Sequence, residues 1–161
     1  MIRLGRYDGC LRDAVLVAKD AAGEPLAEEL GRLWASVRSG QLLVPPTLVV
    51  PVPLHWWRRW ERGYNQSAAI ARGIAGRLGV RCQPTALVRV RPTPQQRTRS
   101  AAERRENVKG AFRLGRFARV RNERVLLVDD VLTTGATADA AAEVLLAGGA
   151  AQVTVAVIAH R

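Results

Sequence analysis

The 161-residue chain has little cysteine, histidine, lysine or aromatic side chain, and each shortage excludes something. Its two cysteines, Cys10 and Cys82, form no CxxC pair, and two histidines cannot complete a zinc constellation with them. Both thiols read as buried and inert. Aromatics are only 5% of the chain, yet three of the four tryptophans (Trp56, Trp57, Trp60) crowd into one short segment, a local feature rather than core filling. No apolar run approaches the roughly 20 residues of a membrane span. The first residues lack the apolar core of a signal peptide, so the expected location is the cytoplasm. No internal repeat or low-complexity tract is visible.

What is abundant is apolar residues and arginine. Hydrophobic residues make up 48%, enough to exclude a disordered chain, and the length suits one domain with one core. Net charge is +11 and the pI is 11.3; all but Lys19 and Lys109 of the 25 basic residues are arginine. Residues 89–124 hold eleven arginines and Lys109 against three glutamates, a local net of +9. Guanidinium forks bind phosphate oxygens in pairs, so this density suits phosphate-bearing ligands. It suits nucleic acid equally, and a solvated basic face as well.

The first third reads helical, with Asp8 capping a helix to about Ala18. A second helix follows, with Pro25 in its first turn and Leu26, Leu30, Leu33, Trp34 and Val37 on its buried side. Residues 1–45 thus form a helical hood over a core of residues 46–161. A short β-branched strand, 48–52, ends at Pro51 and Pro53. A helix over 65–78 stops at Gly79, and strands are expected at 86–90, 111–114, 125–128 and 153–158. A helix over 137–146 lies between the last two. Residues 91–110 read as a long, mobile, basic loop. The alternation of strand and helix predicts an α/β fold with a mainly parallel sheet flanked by helices. In such sheets ligands sit beyond the carboxyl ends of the strands. Segments 51–63, 91–110 and 129–137, each following an expected strand, should therefore converge on one edge.

The third of these carries the most chemistry. Asp129 and Asp130 end an apolar strand, where adjacent carboxylates repel each other and need hydroxyl donors, a cation or water. A ribose 2′,3′-diol offers two such donors. Thr133, Thr134, Gly135, Ala136 and Thr137 then open a helix, where backbone N–H groups and threonine hydroxyls can surround a phosphate dianion. Acids for a diol followed by a phosphate cradle describe a receptor for ribose 5-phosphate. A Walker loop is excluded, because GxxxxGK[ST] is missing. In the first segment, Pro53, Leu54, His55, Arg58, Arg59 and Arg62 form a loop with N–H groups and cations suited to pyrophosphate. In the second, Gln95, Gln96, Arg97, Arg99, Arg104 and Arg105 form an arginine-rich flap able to close over a polyphosphate.

The string VLLVDDVLTTGAT (residues 125–137) resembles the signature of type I phosphoribosyltransferases. With VPVPL, RGYNQS, RxxPxxQ and RxxNVKGAF before it, the chain resembles the ComF family of competence-associated phosphoribosyltransferases along almost its whole length. The resemblance implies that Asp129 and Asp130 are catalytic residues holding the ribose. It assigns residues 133–137 to the 5′-phosphate, and Pro53, Leu54, Arg58, Arg59, Arg62, Arg97, Arg99 and Arg105 to the pyrophosphate and flap. It implies 5-phosphoribosyl 1-pyrophosphate as substrate, Mg²⁺ as cofactor, and an unidentified base or amine as acceptor. The family's link to competence opens an alternative: a non-catalytic factor that senses phosphoribosyl pyrophosphate or binds single-stranded DNA, with a helicase-type partner and a dimer within its scope. Many members begin with a four-cysteine zinc module; this sequence reads as the transferase part alone.

Overall fold

The structure, a computed structural model, describes residues 1–54, 63–91 and 106–161. In chain order the elements are β1 (Ile2–Arg6), α1 (Gly9–Val17), α2 (Glu24–Arg38), β2 (Leu48–Pro51), α3 (Gln66–Leu78), β3 (Arg81–Cys82), β4 (Leu87–Arg89), β5 (Phe112–Leu114), β6 (Arg124–Leu132), α4 (Ala136–Ala147) and β7 (Gln152–His160). Five strands form one sheet in the order β1-β7-β6-β2-β3, with every pair parallel. Side chains alternate across its centre, as strand geometry requires. Val49, Leu126 and Val128 face a core closed by α1, α2 and α3. Leu48, Val50, Val125 and Leu127 face a second core that includes residues of α4, β4 and β5. Burial on both faces explains why β2 and β6 read as unbroken apolar runs.

From β2 the chain passes through α3 to β3 on one side of the sheet. From β6 it passes through α4 to β7 on the other. The connections diverge between β2 and β6, and the crevice at such a switch point is where open parallel sheets bind ligands.

Several elements differ from the sequence reading. The helical first third also contains β1, an edge strand whose half-exposed residues show no clean alternation. Its register against β7 pairs Ile2 with Ala156 and Gly5 with Ala159. Helix α2 supports it directly. Trp34, fully buried, donates its indole N–H to the Ile2 carbonyl at 3.4 Å, and Arg38 donates to the Leu4 carbonyl at 2.7 Å. The buried side of α2 is Ala27, Leu30, Gly31, Trp34 and Ala35, whereas Leu33 and Val37 are about half exposed. The strand expected at 86–90 is β4, but it pairs antiparallel with β5 in a separate two-stranded ribbon, so the segment after it does not leave the parallel sheet. The sheet's outer strand is instead β3, two residues long.

Helix α3 begins where its sequence says. The Asn65 side chain accepts from the Ser67 N–H at 3.1 Å, and Gly79 closes the helix at φ 69°, where a left-handed residue is needed. Among the described residues no helix is long and apolar enough to cross a membrane.

Candidate functional site

Strand β6 does not end at Val128. It stays paired with β7 to Leu132, so Asp129 and Asp130 lie within the strand, just past the last residue that pairs with β2. The Val52 N–H donates to the Val128 carbonyl at 2.8 Å, and the Asn65 amide donates to the Val52 carbonyl at 3.1 Å. Pro53 and Leu54, half-buried, therefore leave the sheet beside the two acids.

The start of α3 supplies the acids with partners. Ser67 Oγ donates to Asp129 Oδ1 at 3.0 Å, and Gln66 Nε2 donates to Asp130 Oδ2 at 3.0 Å. Gln66 and Ser67 are the buried polar residues of the described structure, at 4% and 2% exposure, and their donor groups are met by the acids. Gln66 Oε1 is buried without a hydrogen-bond partner. Backbone amides complete the arrangement: Asp130 N donates to Asp129 Oδ1 at 2.9 Å, and Val131 N to Asp130 Oδ1 at 2.6 Å. Lys19, two residues beyond α1, places its Nζ 3.2 Å from Asp130 Oδ2. The Tyr64 hydroxyl donates to the Ala18 carbonyl, fastening the end of α1 to the start of α3.

Burial pushes the Asp129 carboxyl up to about 7, and the neighbouring charge of Asp130 pushes the same way. Hydrogen bonds from Asp130 N and Ser67, and the more distant Arg89 guanidinium, oppose the rise without cancelling it. Burial of a carboxyl against such a cost makes Asp129 a candidate functional group.

Beyond β6, Gly135 adopts φ 80°, a conformation that favours glycine, and caps α4 without any side-chain hydrogen bond. The first N–H groups of α4 thus face outward with no side-chain cap, beside the half-buried Thr134 and Thr137 and the exposed Thr133. Ala136 is buried at 4% and anchors the turn. Asp139, exposed in the same first turn, takes up part of the positive helix end.

The structure thus places Asp129, Asp130, residues 133–137, Pro53 and Leu54 at or just beyond the carboxyl ends of the adjacent strands β2 and β6. His55, Trp56, Trp57, Arg58, Arg59, Trp60 and Arg62 lie outside the described residues, as do Gln95, Gln96, Arg97, Arg99, Arg104 and Arg105. Sequence reasoning missed Ser67 and the roles of Lys19, Gln66 and Tyr64. The one local signal was a polar trio, Asn65, Gln66 and Ser67, at the start of an otherwise apolar helix. Cys10 is exposed, not buried. Cys82 is half-buried, and burial raises its thiol to about 11 against a smaller lowering by Arg72. His160 ends β7 with Nδ1 3.1 Å from Arg3 Nη1, on the far side of the sheet from β2.

Residues 65–161 match the family model described as a phosphoribosyl transferase domain. The chain is 42% identical over 110 residues to the DNA utilization protein YhgH of Salmonella typhi, covering 68% of this chain and 48% of that protein. It is 38% identical over 122 residues to Competence protein F of Haemophilus influenzae, covering 73% and 52%. The chain therefore spans about half the length of the curated relatives it matches. Among solved structures, the glutamine phosphoribosylpyrophosphate amidotransferase of B. subtilis aligns with 92% of this chain and 30% of its own, at a TM-score of 0.61 and 22% identity, a likeness of fold alone. With the acids and the loop of residues 133–137 lying inside the matched segment, the chain belongs to the phosphoribosyl transferase domain family, as a ComF-type member.

Proposed function

We propose that the crevice binds 5-phosphoribosyl 1-pyrophosphate with Mg²⁺ and that the protein transfers the phosphoribosyl group to a base or an amine. The observation that carries this reading is the acid pair at the sheet's switch point, followed six residues after Asp130 by Ala136, the first residue of a helix with no side-chain cap. Displacing pyrophosphate from the anomeric carbon through an oxocarbenium-like state needs no protein nucleophile. It needs the ring held, the leaving charge met and water kept out. Asp129, whose Oδ2 carries no hydrogen bond from the described residues, accepts from the ribose diol together with Asp130. The N–H groups and hydroxyls of residues 133–137 take the 5′-phosphate. The backbone at Pro53 and Leu54 takes the pyrophosphate; the family resemblance gives Arg58, Arg59 and Arg62 the same role and Arg97, Arg99 and Arg105 that of a flap, all six lying outside the described residues.

The donor set suits Mg²⁺. Among the described residues no group of three acid, histidine or cysteine side chains forms a cage. Mg²⁺ keeps several waters and takes one or two carboxylates plus substrate phosphates, which is what this crevice offers. Once bound, the ion neutralises charge building on the leaving pyrophosphate. Calorimetry with Mg²⁺ should show binding of phosphoribosyl pyrophosphate to the wild type and none to Asp129→Asn or Asp130→Asn. Failure of the wild type to bind at millimolar concentration would end this reading.

A second reading, single-stranded DNA binding, is favoured by a different surface. Phe117 is 78% exposed, with the Arg116 guanidinium 5.5 Å from its ring. Arg113, Arg119 and Arg121 are exposed nearby, and none of the four arginines forms an ion pair among the described residues. The loop is rigidly presented: Gln83 donates to the Phe117 carbonyl at 2.8 Å and accepts from Arg119 N at 3.1 Å, while Val120 is buried. An aromatic among arginines is the pattern that stacks bases and tracks a phosphate backbone. The loop enters β6 at Arg124, about 16 Å of strand before Asp129. Fluorescence anisotropy with labelled oligothymidylate should show a tenfold or greater loss on replacing Phe117, Arg116 and Arg119 by alanine, a shallower salt dependence, and no effect of Asp129→Asn. An unchanged affinity in the triple variant would remove this loop as the contact.

A further inference from the structure

We propose that Lys19 is the resident cation of the acid pair: it pins Asp130 and keeps a lone divalent ion out of the crevice, so that metal enters only together with a polyphosphate. The polyphosphate clause rests on the phosphoribosyl reading; the role of Lys19 toward a lone ion does not.

The two acids are not equivalent. Asp130 takes three partners, Val131 N on Oδ1 and both Gln66 Nε2 and Lys19 Nζ on Oδ2, which leaves only one acceptor position, on Oδ1, for a ligand. Asp129 takes Ser67 Oγ and Asp130 N on Oδ1, while Oδ2 accepts no hydrogen bond from the described residues. One carboxylate is therefore neutralised and fixed, and the other keeps an open oxygen. Two uncompensated adjacent carboxylates would attract a divalent ion on their own; one neutralised by an ammonium and one open carboxylate do so far less.

Lys19 is held in place from two directions. The Tyr64 hydroxyl donates to the carbonyl of Ala18, the residue before it, and Lys19 N donates to the Leu16 carbonyl at 3.0 Å. A Cβ at Gly23 would collide with the Val17 carbonyl, so the turn after α1 folds tightly against the helix end. The Lys19 side chain is only 26% exposed and the Asp130 side chain 14%. In a chain whose cations are almost all arginine, it is a lysine, a compact charge on a slender stem, that stands at Asp130.

The test titrates the full chain with Mn²⁺ alone, free ion being read by electron paramagnetic resonance. Lys19→Met should bind Mn²⁺ at least tenfold more tightly than wild type, and adding Asp130→Asn should return the affinity to the wild-type level. Damage to the fold does not raise metal affinity, so a gain reports the removed charge. If Lys19→Met does not fold, Lys19→Gln makes the same measurement. Equal Mn²⁺ affinity in a folded Lys19 variant and wild type overturns the proposal, as does tight binding of Mn²⁺ by wild type. A calorimetric titration of wild type with phosphoribosyl pyrophosphate and Mg²⁺ separates the two readings. No binding there, beside a gain of Mn²⁺ affinity in Lys19→Met, would remove the polyphosphate and leave the resident cation.

Discussion

Replacing Asp129 by asparagine should stabilise the protein above neutral pH while abolishing its binding of phosphoribosyl pyrophosphate. The wild-type carboxyl is pushed up to about 7, chiefly by burial and then by Asp130, whereas in the unfolded chain it titrates near 4. Between those values the folded state holds a proton that the unfolded state has lost. Stability from this group is thus fully present below about pH 4 and declines as pH rises to about 7, beyond which it stays low. Asparagine stays neutral throughout, and its side-chain oxygen still accepts from Ser67 and from Asp130 N. The melting temperatures of variant and wild type should therefore coincide near pH 4 and diverge in the variant's favour by about 5 °C or more at pH 8, given about 2–4 °C per kcal/mol for a chain of this size. Thermal unfolding followed by circular dichroism at both pH values decides it. A variant less stable than wild type at pH 8 would mean that Asp129 serves the fold rather than the ligand.

Such an exchange of stability for function explains why the site was the most legible part of the sequence. Asp129 and Asp130 break an apolar run with two charges, and only a ligand or a dedicated set of partners makes that tolerable. Residues 133–137 were readable because they closely follow the two acids; threonine and glycine at a helix start are otherwise ordinary capping residues. What the sequence did not reveal was non-local. Lys19 and Asp130 are far apart along the chain, and nothing near Lys19 marks its target. The same holds for β3, whose two residues carry no period, and for β4, whose apolar residues suit a ribbon as well as a parallel sheet. Strand β1 was hidden for another reason: as an edge strand it is half exposed, and its support comes from Trp34 and Arg38 on α2.

The misread face of α2 has a physical cause with a large expected consequence. Leu30 and Trp34 are buried as read, but bulky Leu33 and Val37 are not, and small Ala27, Gly31 and Ala35 complete the packed side. Small residues allow α2 and α3 to approach until backbones touch. A Cβ on Gly31 would collide with the Ile70 carbonyl, and one on Gly73 with the Glu28 carbonyl, so the two glycines mark a single crossing. Gly73→Ala should cost about 3 kcal/mol, because the obstacle is backbone and the helices must separate; the helix propensity gained, up to about 1 kcal/mol, does not offset this. Gly31→Ala should cost a similar amount, and the double variant clearly less than the sum, since one separation relieves both clashes. Gly76, on the same helix but facing open space, supplies the control: Gly76→Ala should be neutral or slightly stabilising. Urea midpoints with an unchanged m-value would measure these differences. The effect should reach the crevice, because Gln66 and Ser67 ride on α3. In Gly73→Ala both should draw away from Asp130 and Asp129, weakening phosphoribosyl pyrophosphate binding under conditions where the variant is still folded. If Gly73→Ala proved as stable as Gly76→Ala, the close crossing would not be what sets the spacing of the two helices.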